Sequence, residues 1–238
     1  MAYAHWQTRS FYRTFSLGDK MKKIVNGVSI YYEVIGQGKP VILCHGNGED
    51  HTIFDVLANR LKEHYQVILV DSRNHGQSER TDSYHYEVMA EDIKQLIDEL
   101  KLDQPYFLGF SDGGIIGLII AVKYPKTCAK LMVLGANVHP KGVKKIYQIE
   151  MEEAYKISKD PLLKMMIEEP QISWKQLHLI TIPVMVIAGE YDDMTYKHTK
   201  AIAHHIKQSE LVILDKKNHY EYVIHSDDLY PLCISYFK

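Results

Sequence analysis

The chain has 238 residues, an apolar fraction of 46%, a charged fraction of 24% and a formal charge of −2 at neutral pH, the balance of an ordinary soluble globular protein. So small a net charge gives no reason to expect nucleic acid or an anionic membrane surface as partner, and no apolar run is long enough to cross a bilayer. Three cysteines, odd in number and without a Cys-x-x-Cys spacing, argue against a disulfide framework and for reduced thiols in a cytoplasmic protein.

Trp6, Arg9, Phe11, Tyr12, Arg13 and Phe15 give residues 1–20 aromatics and cations but no continuous apolar core of a secretory signal. Met21-Lys22-Lys23 reads as the natural beginning, with residues 1–20 an N-terminal extension or an expression artefact. No Pro/Gly/Ser linker divides the rest, so residues 21–238 are expected to form a single domain. From Lys22 to Ile35 two strand-like runs flank Asn26-Gly27, the dipeptide favoured in a type I′ hairpin.

Beyond the hairpin, short apolar strands alternate with amphipathic helices, the pattern of a mostly parallel sheet covered on both faces. Pro40 to Cys44, Val67 to Val70, Tyr106 to Leu108, Leu131 to Leu134, Val184 to Ile187 and Leu211 to Leu214 read as strands. Helices are expected around Phe54 to Leu61 and, from the spacing of Val88, Ile93, Leu96, Ile97 and Leu100, between Tyr86 and Leu100. From His139 to about His178 the alternation stops and the pattern is helical throughout. An insertion there is expected to lie over the carboxyl ends of the strands as a small lid, the alternative being a surface helical hairpin.

Chemistry concentrates at Gly109-Phe110-Ser111-Asp112-Gly113, a Gly-x-Ser-x-Gly segment between a predicted strand and the buried helix that Gly113 to Ala121 predicts. A serine on such a turn takes positive φ and needs neighbours without a β-carbon, which Gly109 and Gly113 provide. Serine is a weak nucleophile near neutrality, so it needs a base and a group to orient that base. Asp192, in the turn after the Val184 strand, and His219, after the Leu211 strand, follow in the order Ser, Asp, His. Asp193 is the rival acid, and His204, His205 and His225 are expected to face solvent. Charge developing on a carbonyl oxygen would be met by the N–H groups of Asp112, at a helix start, and of Asn47, in His45-Gly46-Asn47-Gly48. His45 is expected to pin that loop, and Cys44 to be a buried inert thiol. No His-Glu-x-x-His pattern or cysteine cluster in the sequence suggests a metal.

Taken together, the elbow, the His45-Gly46-Asn47-Gly48 loop and the segment Asp71-Ser72-Arg73-Asn74-His75-Gly76-Gln77-Ser78, similar to an Asp-x-Arg-Gly-x-Gly-x-Ser turn, resemble the α/β-hydrolase family over nearly the whole chain from Lys22. Asn74 stands where a glycine is usual, a departure that asparagine tolerates because it accepts left-handed geometry. Asp71 and Arg73 read as structural. The resemblance implies an eight-stranded, mostly parallel sheet with helices on both faces, a Ser/His/Asp triad, no metal or cofactor, and hydrolysis of small carboxylic esters through an acyl-enzyme. Carbon–carbon or amide hydrolysis by the same triad, or a non-catalytic binding protein on the same scaffold, are the alternatives. Gly109 to Ile115, Lys123-Tyr124-Pro125 and Leu134 to Asn137 look most like the biphenyl hydrolase-like (valacyclovir hydrolase) branch, which implies amino-acid esters among the substrates. Asp112 would then hold a substrate ammonium, the alternative being a hydrogen-bonding role inside the elbow.

Overall fold

The computed structural model describes residues 19–238. Asn26 and Gly27 take φ values of 48° and 75°, the two left-handed residues of a type I′ turn. They join β1 (Asp19–Val25) to β2 (Val28–Ile35) as an antiparallel hairpin. Of the expected N-terminal extension, residues 1–18 lie outside the described residues, while Asp19 and Lys20 already pair with Val34 and Glu33 as the first residues of β1.

Strands and helices then alternate: β3 (Lys39–Cys44), α1 (Asp55–Leu61), β4 (Tyr65–Val70), α2 (Tyr86–Glu99), β5 (Tyr106–Phe110), α3 (Asp112–Lys123) and β6 (Lys130–Leu134). Three helices follow, α4 (Lys145–Ser158), α5 (Pro161–Glu168) and α6 (Trp174–Leu177), before β7 (Val184–Tyr191), α7 (Tyr196–His205), β8 (Ser209–Asn218) and α8 (Tyr230–Tyr236). All strands belong to one eight-stranded sheet in the order β1-β2-β4-β3-β5-β6-β7-β8. From β3 to β8 the strands run parallel, and β2 joins β4 antiparallel.

Alternate residues of the parallel strands enter opposite layers. Ile42, Ile68, Phe107 and Val133 pack with the apolar residues of α2 and α3, while Leu43, Leu69, Leu108 and Met132 pack with those of α1 and α8. Burial on both faces explains why these strands read as unbroken apolar runs. Likewise α3 is buried from Asp112 to Ala121, as a helix apolar all round must be.

β3 lies between β4 and β5, where the direction of strand addition reverses. In open parallel sheets, the crevice outside the carboxyl ends at such a point is where ligands bind. Two of the loops carrying predicted site residues leave the sheet there, after β3 and after β5.

α4, α5 and α6 occupy the region read as a helical insertion, and α4 buries none of its residues. The Lys144 N–H donates to the Asp193 carbonyl at 2.8 Å, and the Tyr86 N–H donates to Glu169 at 3.1 Å. These contacts tie the insertion to the loop after β7 and to the start of α2, both on the carboxyl side of the sheet.

Candidate active site

Ser111 sits at φ 51° between β5 and α3, in the left-handed geometry its motif demands. A β-carbon on Gly109 would overlap the Gly113 carbonyl, and one on Gly113 would overlap the Cys44 carbonyl. Both glycines are therefore required by close backbone approach, which lets the helix start directly behind the serine. The Ser111 N–H donates to the Leu134 carbonyl at 2.8 Å, anchoring the turn to the end of β6.

His219 and Asp192 meet because β7 and β8 pair beyond the apolar core of the sheet. Tyr191 lies opposite Asn218 after a register shift at Gly189, so the next residue of each chain segment, Asp192 and His219, emerges beside the other. His219 Nδ1 donates to Asp192 Oδ1 at 2.8 Å, and Nε2 lies 3.3 Å from Ser111 Oγ. Asp192 is further held by the N–H groups of Gly189 and Met194 at 3.1 Å each and by the Tyr222 hydroxyl at 3.2 Å. Burial would raise its pKa, but the charge and hydrogen bond of His219 carry it below the usual carboxylate value. Burial pushes His219 down, and the charge and hydrogen bond of Asp192, with Asp193 and Glu49, override this and bring it to about 9.

Asp193 points elsewhere. Its Oδ2 accepts from the Tyr220 hydroxyl at 3.4 Å. Asp112 is 4% exposed, and its carboxyl accepts from the Tyr86 hydroxyl at 2.7 Å and from Asn47 Nδ2 at 2.9 Å. This second bond ties the loop after β3 to the start of α3. As the first residue of its helix, Asp112 keeps an N–H with no intrahelical acceptor.

The expected supporting roles hold. His45 Nε2 accepts from the Ser72 N–H at 3.0 Å, and Nδ1 donates to the Gly46 carbonyl at 2.7 Å. Arg73 clamps Asp92 through two buried hydrogen bonds of 2.5 and 2.6 Å, and Asn74 takes φ 66°. Cys44 is fully buried, which pushes its thiol up to about 12. Asp50, His51 and Asp71 converge closely enough to suggest a metal site. Their donors are engaged within the protein, however: His51 bonds Asp71 and Glu33 through its two ring nitrogens, and Asp50 caps the Thr52 N–H.

Three residues near the site escaped sequence reasoning. Tyr86 and Tyr222 each bond a carboxylate there, and tyrosines carry no motif that distinguishes these from the rest. Glu49 is the third. Its Oε2 accepts from the Gly46 N–H at 3.0 Å, while its Oε1 is buried without a partner. An acid just after the His45-Gly46-Asn47-Gly48 loop was the available signal. Trp174 lines a cavity of about 400 Å³ with Val138, Ile172 and His198, and no triad candidate borders it.

Comparison with known proteins gives the same outline. The sequence profile of the α/β hydrolase fold matches residues 39–152. The AB hydrolase superfamily protein YisY of Bacillus subtilis is 28% identical over 238 aligned residues, covering 81% of this chain and 89% of that protein. The chain has the α/β-hydrolase fold. This hydrolase is also 27% identical to mouse serine hydrolase BPHL over 83% of its own length and 79% of the relative's. Among solved structures, an esterase from Exiguobacterium antarcticum superposes with a TM-score of 0.80 at 23% identity, covering 92% of this chain and 99% of the other. At that identity the superposition speaks to fold alone.

Proposed function

We propose that this hydrolase is a serine esterase that cleaves small carboxylic esters through an acyl-enzyme. His219, oriented by Asp192, takes the proton of Ser111 as Oγ attacks the ester carbonyl. The N–H groups of Asn47 and Asp112 receive the charge that develops on the carbonyl oxygen, and the alcohol leaves with a proton from His219. Water, activated by the same imidazole, then releases the acid. The observation that carries the reading is the continuous relay Asp192, His219, Ser111 with separations of 2.8 and 3.3 Å, ending on a serine in strained positive-φ geometry.

Amino-acid esters are the substrates that the site's charge favours. Asp112, Asp192 and Asp193 all act on the single imidazole of His219, so a substrate ammonium would enter a field of carboxyl groups. The distant likeness to serine hydrolase BPHL runs the same way: the human protein is 36% identical over 127 residues, half of this chain and 43% of that protein. In this reading, Asp112 holds the ammonium with the acceptor capacity left over from Tyr86 and Asn47. The three helices between β6 and β7 would serve as the lid of a single domain.

Fluorophosphonate labelling tests the nucleophile, and Ser111→Ala should abolish the label and lower ester turnover by about 10⁴ to 10⁶. Full activity in that variant would rule the mechanism out. Substrate class is tested by a panel of p-nitrophenyl esters of graded chain length beside amino-acid esters. Asp112→Asn should lose activity selectively on the cationic members, and equal losses on neutral ones would assign Asp112 to the elbow alone.

A further inference from the structure

Glu49 has no part in the relay, yet its carboxyl is sealed beside it. A β-carbon built on Gly46 would lie 2.8 Å from Glu49 Oε2 and 3.1 Å from the Ser111 β-carbon, so the carboxyl and the serine flank the same backbone position within about 6 Å of each other. Oε2 accepts the Gly46 N–H at 3.0 Å, and Oε1 is buried without a partner. A buried carboxyl half satisfied in this way is costly to keep for packing alone.

We propose that Glu49 is a positioning residue for acyl transfer: its carboxyl closes the turn from Gly46 to Glu49 against Ser111 and so fixes the direction in which the Asn47 N–H meets the substrate oxygen. The inference rests on the serine-esterase reading. His219 and Tyr220 face the carboxyl from the segment after β8, Asp112 from the start of α3, and Asp50 from the same loop. Burial lifts Glu49 to about 8, against the Gly46 hydrogen bond and the charge of His219, which both lower it. At neutral pH the clamp is thus a neutral acid, which adds no negative charge beside an oxygen that is itself becoming negative. When ionised, Glu49 joins Asp192 and Asp193 in raising the imidazole of His219.

Two substitutions separate clamp from charge. Glu49→Ala removes both, and Glu49→Gln keeps an oxygen that can accept the Gly46 N–H. With p-nitrophenyl acetate at neutral pH, Glu49→Ala should lower kcat about tenfold or more with little change in KM, as misdirection of one oxyanion donor requires, and Glu49→Gln should recover most of that loss. Both should move the acid limb of the kcat/KM profile to lower pH, a change that a purely structural residue would not produce. Wild-type kcat in Glu49→Ala, or equal losses in the two variants, would overturn the clamp. Should the alanine variant fail to fold, Glu49→Met, which fills the same space without an oxygen acceptor for the Gly46 N–H, takes its place, and wild-type kcat there overturns the clamp. Fluorophosphonate labelling of Ser111 in the wild type keeps the two readings apart: without it the esterase reading fails, and with it an unaltered Glu49→Ala condemns only the present inference.

Discussion

Two buried histidine–aspartate pairs stand on the same sheet and differ in what the far nitrogen meets. In one, His219 bonds Asp192 at 2.8 Å and turns Nε2 toward Ser111 Oγ at 3.3 Å. In the other, His51 bonds Asp71 at 2.7 Å and turns Nε2 toward Glu33 at 3.2 Å. Both imidazoles are almost fully buried, and in both burial pushes the pKa down while the paired aspartate carries it above the ordinary value. An oriented, raised imidazole is therefore no sufficient mark of catalysis. A hydroxyl on a strained turn makes the first pair a candidate base, whereas a second carboxylate makes the other a closed ionic brace between β2 and the loops after β3 and β4.

Substitution should split the pairs cleanly. His219→Ala should lower ester turnover by about 10⁴-fold or more with a smaller loss of stability than at His51, because Asp192 keeps the N–H groups of Gly189 and Met194 and the Tyr222 hydroxyl, as kinetics and urea titration would record. His51→Ala should do the reverse. Asp71 would remain buried without its imidazole partner, while Glu33 would keep the Tyr31 hydroxyl and Lys20; a loss of about 3 kcal/mol in folding stability is expected, while the folded fraction keeps near wild-type kcat. Equal damage to activity from both variants would dissolve the distinction.

A subtler change tests the geometry of the first pair alone. A β-carbon on Gly135, which has φ 54°, would come within 2.6 Å of His219 Cε1. Gly135→Ala should displace the ring and cost about 10²-fold in kcat, measured with Ser111 labelling rates in parallel. The smallest expected effect is on the second pair and is a slope rather than a loss. His51, raised in the folded state, adds stability that is whole below about pH 6.5, its unfolded value, and that fades as pH rises through the folded value. Asp71 is held low because His51 outweighs the effect of burial. It adds stability that is present above about pH 3.9 and is lost as pH falls through its depressed value. Urea midpoints across neutral and alkaline pH should decline less steeply in His51→Gln than in wild type, and parallel slopes would break the assignment.

Legibility in the sequence followed the range of the interactions involved. Asn26-Gly27, the buried strands and the turn at Ser111 are written in local terms: φ preference, apolar runs and the absence of a β-carbon. Asp192 and His219 could be picked because each directly follows a strand. His51 and Glu33 left no such trace, since they are far apart in the chain and neither belongs to a pattern. Glu49 was likewise passed over, because its hydrogen bond to Gly46 is local but the sealing of its carboxyl beside Ser111 is not.

By itself, then, the chain determined its strand and helix series, its hairpin and the strained serine, because each depends on neighbours a few residues away. Tertiary structure alone decided that Asp192 rather than Asp193 faces the imidazole, through the register that sets Tyr191 opposite Asn218. It also decided that Asp112 is tied to Tyr86 and Asn47. Such choices turn on which groups burial brings within hydrogen-bond distance, and no local preference encodes them.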